Sequence, residues 1–145
     1  MRHETRVSAF VGSVNGSCLC GAVTFRAEAE VRVVNGHCGL CRKMNGSAFS
    51  SYAVVPHDKL NILGDSDLGA HAVTQRATKH YCRKCGTPLF NLNSKHPGAC
   101  MLYLGTLKGG DAHSPALNVH CENMLPWVAS VSSLKSFPEG TARDA

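Results

Sequence analysis

The sequence predicts a mainly β fold: a single zinc-stapled domain of packed antiparallel sheets. Three observations carry that expectation. Short apolar or alternating runs recur along the chain with Gly, Pro, Asn and Asp between them, the pattern of many short strands joined by turns. The length of 145 residues suits one domain with a real core. Two cysteine hooks, Cys18-Leu19-Cys20-Gly21 and Cys82-Arg83-Lys84-Cys85-Gly86, stand far apart and together offer the four soft ligands of a tetrahedral zinc. Each hook ends in a glycine, which lets the chain fold back with φ > 0 and aim backbone N–H groups at bound sulfur.

Taken in order, residues 1–14 read as an N-terminal tail, 15–130 as the zinc-binding domain and 131–145 as a C-terminal tail. Val23, Phe25 and Ala27 alternate with Thr24, Arg26 and Glu28, the signature of a half-buried strand. Val31 and Val33 open a second strand. Cys38-Gly39-Leu40-Cys41 occupies the loop beyond it, and 41–46 forms one helical turn ended by Asn45-Gly46. Residues 48–55 make the clearest strand, with Phe49 and Tyr52 as large anchors. Pro56-His57-Asp58 turns, 60–63 is a short strand, and Gly64-Asp65 turns again. Residues 72–80 are polar but extended and deliver the chain to the second hook; 87–91 leave it as a strand. After the Pro97-Gly98 turn, 99–104 is a buried strand with Cys100 as a small core residue. A glycine-rich loop spans 105–115, and 117–121 is a last strand whose Cys121 packs in the core. Trp127, after Pro126, is expected to be a packed anchor.

Composition excludes several classes. Hydrophobic content of 43% with 17% charged residues is that of a globular chain, not a disordered one. The net charge of +5 is scattered, with no basic block or aromatic repeat to favour nucleic acid. No stretch is long enough to span a membrane. The N-terminus makes a poor export signal, because Glu4 interrupts its basic end and Ser8, Gly12 and Ser13 break its apolar part. Eight cysteines in a reducing cytoplasm, the expected compartment, mean metal before disulfides.

The candidate chemistry lies in two places. Cys18, Cys20, Cys82 and Cys85 form a closed structural metal site whose metal binding is part of the folding free energy. Cys38 and Cys41 form the functional pair, for a second zinc or as reactive thiols, beside Arg42 and Lys43, which would lower thiol pKa values. His37 is a ligand or proton carrier, or else a loop histidine bonded to backbone. A metal with an exchangeable position would bind a thiol as thiolate and so make it a nucleophile near neutral pH.

The motifs Gly16-Ser17-Cys18-Leu19-Cys20-Gly21-Ala22-Val23, His37-Cys38-x-x-Cys41-Arg42-Lys43 with Gly46, and Cys82-x-x-Cys85-Gly86-Thr87-Pro88-Leu89, with Leu104-Gly105-Thr106-Leu107 and Pro126-Trp127, resemble the glutathione-dependent formaldehyde-activating enzymes and their relatives, which include centromere protein V. The resemblance implies a tent-like β fold with structural zinc on Cys18, Cys20, Cys82 and Cys85. It also implies a second, catalytic zinc held by three cysteines in the pattern C-H-C-x-x-C. The implied reaction is addition of glutathione to formaldehyde, giving S-(hydroxymethyl)glutathione, with a carbon–sulfur lyase as its reverse. The pattern's first cysteine falls on Gly36, so only two of the three thiolates are present. His37, His80 and Cys121 are the candidates to complete the site.

The expected protein is therefore a zinc-dependent carbon–sulfur lyase acting on a glutathione adduct of formaldehyde or another small electrophile. Arg42, Lys43, Arg83 or Lys84 would bind the carboxylates of the tripeptide. A small-molecule thiol is the expected partner, and a homodimer is compatible with these features. The competing reading is a non-catalytic zinc module for protein or nucleic acid, with a degenerate second site. A methionine-sulfoxide-type reductase using Cys121 ranks last, because the C-x-C hook does not fit it.

Overall fold

Strand alternation sets the fold from its first hairpin. In β2 (Thr24–Glu30), Phe25 and Ala27 are buried while Arg26, Glu28 and Glu30 are exposed. One face thus enters the core and the other meets water. The computed structural model describes residues 11–109 and 113–141. Residues 1–10 of the expected N-terminal tail, 142–145 of the C-terminal tail and 110–112 of the glycine-rich loop lie outside them.

β1 (Val11–Ser17) pairs antiparallel with β2 from Val11↔Glu30 to Ser17↔Thr24. Among the described residues the sheet thus reaches back to Val11, inside the stretch expected as tail, and Val14 lies in the core. Val-Gly-Ser-Val-Asn-Gly-Ser carries little alternation of its own; its strand character comes from the partner. β5 (Leu60–Leu63) pairs on the other side of β2, which completes a three-stranded sheet.

The larger sheet has seven strands in the order β10-β3-β4-β9-β8-β7-β6. They are β3 (Arg32–Gly36), β4 (Ser50–Pro56), β6 (Leu68–Ala72), β7 (Ala77–Cys82), β8 (Pro88–Asn93), β9 (Ala99–Tyr103) and β10 (Pro115–Val119). Neighbours are antiparallel except β10 and β3, which run parallel. The expected extended stretch at 72–80 is two strands, because the chain turns at 73–76 between β6 and β7.

The core is the space between the two sheets. Phe25, Ala27 and Val23 meet Ala53, Val55, Cys100 and Leu102 there. Cys100 has the predicted core place, and burial pushes its thiol up to about 12. Truncating fully buried Leu102 to Ala would cost about 2–5 kcal/mol. Residues one step along the same strands, Tyr52, Val54 and Met101, point to the opposite face. That face carries the single α-helix of the described residues, α1 (Gly39–Asn45). The Cys38 side chain caps its start, and Gly46 at φ 62° ends it.

Two expectations at the C-terminal side fail. Cys121 is exposed, and Trp127 is 50% exposed. β10 ends at Val119 and is an edge strand without a buried residue, and none of the described residues beyond it is buried. No helix among the described residues is long and apolar enough to cross a membrane.

Candidate metal centre and ligand cavity

The two hooks fold by the same local rule. Gly21 and Gly86 have φ of 79° and 80°, so each chain reverses just after its second cysteine. The Gly21 amide donates to the Cys18 carbonyl at 3.2 Å, and the Gly86 amide to the Cys82 carbonyl at 2.8 Å. The Val23 amide reaches Cys18 Sγ at 3.3 Å. Thr87 binds the hooks together: its Oγ1 accepts from the Leu19 amide at 3.0 Å and lies 3.1 Å from Cys85 Sγ.

The four sulfurs lie within 4.8 Å of one another. Cys18 and Cys20 Sγ are 3.6 Å apart, and Cys20 and Cys82 Sγ 3.8 Å. A zinc–sulfur bond of about 2.3 Å implies a tetrahedral edge of about 3.8 Å. The donor set and spacing therefore fit a metal ion.

The protonation preferences of the four are split, as expected for thiols that cannot all ionise side by side without a cation. The Thr87 hydroxyl and amide, with the Cys20 amide, hold Cys85 down at about 5. Cys20 is helped by the Ala22 amide, but burial and the neighbouring sulfurs push it up to about 11. Burial acts upward on Cys18, yet the Val23 amide and the Cys20 and Cys82 thiols bring it below its usual value.

The second pair sits on the other face of the larger sheet. Cys38 Sγ accepts from the Cys41 amide at 3.2 Å, and the two sulfurs are 2.8 Å apart. Tyr52 Oη donates toward Cys41 Sγ at 3.7 Å and accepts from Asn91 Nδ2 at 3.3 Å. Burial, with the Cys38 contact, pushes Cys41 up to about 11, so it is a protonated thiol at neutral pH. Burial and the nearby Tyr103 and Cys41 also raise Tyr52. Tyr103 and Lys79 extend the polar group: Tyr103 Oη lies 3.0 Å from Asn91 Oδ1, and Lys79 Nζ donates to Met44 O and Asn45 Oδ1 at 3.0 and 3.1 Å.

A second metal does not fit this pair as it stands. Among the described residues the only cluster of three or more metal-ligating side chains is the four-cysteine one. At Gly36 an added Cβ would lie 3.9 Å from Cys41 Sγ and 3.6 Å from the Tyr52 ring, which is ordinary contact distance. A Cβ is tolerated there, and glycine leaves the position without a side chain.

Gly36, Cys38, Cys41 and Tyr52 open together into a cavity of about 410 Å³, within the usual size of small-molecule sites. His37 does not line it. Alternation sends His37 to the opposite side of the strand, 1% exposed, where Nε2 pairs with Asn118 Oδ1 at 2.9 Å and the ring packs on Phe49. Arg42 donates to the backbone carbonyls of His37 and Asn123. Lys43 is exposed on α1, and Arg83 and Lys84 stay with the second hook, exposed. Cys121 and His80 do not line the cavity either.

His120 does line it, one residue beyond Val119, which pairs with Gly36. It is the one non-glycine residue among those described with positive φ, at 57°. Sequence reading missed His120 and the Asn91–Tyr103 pair, since no local motif marks them. Tyr52 was visible only as a strand anchor.

Residues 13–123 match the family model described as glutathione-dependent formaldehyde-activating enzyme. The chain is 29% identical over 85 residues to an uncharacterized lyase of Schizosaccharomyces pombe, covering 57% of this chain and 61% of the relative. It is 31% identical over 88 residues to a Talaromyces marneffei protein named as a candidate glutathione-dependent formaldehyde-activating enzyme, covering 55% and 46%. A Halomonas elongata protein of the same name is 28% identical over 139 residues, covering 79% of each. The chain thus spans less than two thirds of the length of the first two relatives. A crystal structure of a Rhodobacter sphaeroides protein shares the fold, with TM-score 0.57 and 22% identity over 72% of this chain and 99% of that one.

Proposed function

The chain belongs to the glutathione-dependent formaldehyde-activating enzyme family, and from that premise we propose that it makes and breaks a carbon–sulfur bond between a thiol, glutathione, and an aldehyde. The observation that carries the reading is the opening of Cys38 and Cys41 into the cavity through the gap at Gly36.

In the forward direction the thiol sulfur bonds to the carbonyl carbon. The C=O π bond becomes an alcohol, and the thiol proton ends on that oxygen. The reverse returns the proton to sulfur as the C–S bond breaks. Thiol addition to small aldehydes is facile, so the site supplies orientation and proton handling. Cys41 holds a proton at neutral pH, and Tyr52 points its hydroxyl at the same sulfur. Together with Cys38 they surround the place where the substrate sulfur would sit. Lys43, exposed on the adjoining helix, is the cation we assign to a carboxylate of the tripeptide. Arg42 is engaged by backbone carbonyls and instead fixes the loop that carries the pair.

The ion we assign to Cys18, Cys20, Cys82 and Cys85 is zinc, bound by a closed set of ligands and serving the fold. A reducing cytoplasm, which keeps thiols free and is rich in glutathione, fits this chemistry.

The test is exchange between formaldehyde, glutathione and their adduct, followed by nuclear magnetic resonance at equilibrium. Cys38→Ser and Cys41→Ser should each slow enzyme-dependent exchange by about 10²-fold. Unchanged turnover across a panel of glutathione–aldehyde adducts would sink the proposal. The Gly36 gap also favours a second reading, a non-catalytic zinc module. Salt-dependent binding to DNA with no thiol-dependent exchange would support it.

A further inference from the structure

The wall of the cavity is unlike what formaldehyde needs. Val34, Val54, Met101, Leu117 and Val119 line it, with no acidic residue among its described lining. A hydroxymethyl group adds one carbon and would leave this apolar surface facing water. The ammonium of the tripeptide would find no carboxylate there. Arg32 is the lining residue with a fixed charge.

Sheet geometry orders these residues. Gly36, Val34 and Arg32 share one face of β3 at period two. Val34 pairs with Tyr52, and Arg32 with Val54, which itself pairs with Met101. β10 places Leu117 beside Val34 and Val119 beside Gly36. The cavity therefore runs from a sulfur end at Gly36, over an apolar middle, to a polar end at Arg32. Four residues at a rise of roughly 3.3 Å put those ends about 13 Å apart.

We propose that the cavity binds the aldehyde-derived part of the substrate, and that this part is an extended apolar alkyl or aryl group. The ligand is then a thiol adduct of an apolar aldehyde, with its sulfur where Gly36 has no side chain. Its chain lies along Val34, Val54 and Met101, any polar terminus is at Arg32, and its peptide lies outside beside α1. This rests on the thiol-adduct reading above and narrows its electrophile. Selectivity comes from area: burying a methylene in such a wall favours binding by about two- to fourfold, which a one-carbon adduct cannot gain.

The probes are S-methyl-, S-hexyl- and S-octylglutathione, titrated by calorimetry into the full chain with its metal. Affinity should rise about two- to fourfold per added methylene. Ala99→Phe, at the Arg32 end of the cavity, should weaken the octyl compound and spare the methyl one. Met101→Ala, which shortens a wall residue without adding bulk, should flatten the chain-length dependence if Ala99→Phe fails to fold. Gly36→Cys puts the chain's own sulfur in the proposed sulfur place and should abolish binding of all three.

Equal affinity for methyl and octyl, or exclusion of the longer chains, overturns the inference; methyl binding then leaves the glutathione reading intact and points back to formaldehyde. Absence of binding by all three also overturns it, and the lyase reading is then judged by formaldehyde exchange alone. Chain-length-dependent binding without catalysed exchange of any adduct overturns the aldehyde origin of the bound group together with the lyase reading, and leaves the cavity as an apolar thioether site.

Discussion

The chain holds two cysteine sites built from nearly the same parts, and they differ in who completes them. Cys18, Cys20, Cys82 and Cys85 bring four sulfurs within 4.8 Å. Their glycine turns are local to each hook, while the Leu19 and Cys20 amides reach across to Thr87 and Cys85. Cys38 and Cys41 share the C-x-x-C spacing of the second hook, yet stop at two sulfurs beside the gap at Gly36. The first site is closed by four of the protein's own sulfurs. The second is left open toward a cavity. Identical spacing therefore does not give identical chemistry; what matters is whether other strands bring further ligands or a ligand-sized space.

The comparison breaks most severely at a buried ligand of the closed site. Cys82, fully buried, changed to Ser should remove the metal and with it several kcal/mol of stability, since structural zinc binding and folding are one equilibrium. Thermal melting and elemental analysis would show both. Cys38→Ser should keep the metal and most of the melting temperature. If the two variants melt alike, the assignment of one site to fold and the other to function is wrong.

A second substitution should erase the difference instead of exaggerating it. Gly36→Cys fits the available space and supplies a third sulfur next to Cys41. Metal content should rise from one equivalent per chain toward two, and the added metal should raise the melting temperature relative to the same variant with chelator. A variant that stays at one equivalent would show that the pair lacks more than a sulfur.

A third contrast separates the sites by pH in the metal-free, reduced protein. Cys85 has a folded pKa of about 5 against 9.0 for an ordinary thiol. Its contribution is present above pH 9 and is lost as pH falls toward 5. Cys41, at about 11 against 9.0, contributes below pH 9 and loses it as pH rises toward 11. Denaturant titrations of Cys85→Ser and Cys41→Ser from pH 6 to 11 should therefore show opposite slopes relative to wild type. Slopes of the same sign would undo the contrast.

Much of the closed site was legible because its signal is local. A C-x-C-G and a C-x-x-C-G each dictate a reversal at φ > 0, whatever the rest of the chain does. The strand at β2 was equally plain, since Phe25 and Ala27 alternate with charged neighbours. His37 shows the limit of adjacency. It neighbours Cys38 in sequence, but a strand sends successive side chains to opposite faces, and it ends against Asn118 and Phe49. Period two would have grouped Gly36 with Cys38 instead. Cys121 and Trp127 were expected inside on residue type alone, and an edge strand left them exposed.

By itself, then, the sequence determined the β class, the turns and the four-cysteine staple, because short-range backbone geometry and ligand chemistry are written in adjacent residues. Only the tertiary structure decided what the second pair faces. Tyr52, Asn91, Met101, Leu117 and His120 come from β4, β8, β9, β10 and the turn after it. Their meeting depends on strand order and register, which are fixed by burying the opposite face of the sheet and are not encoded in any one segment.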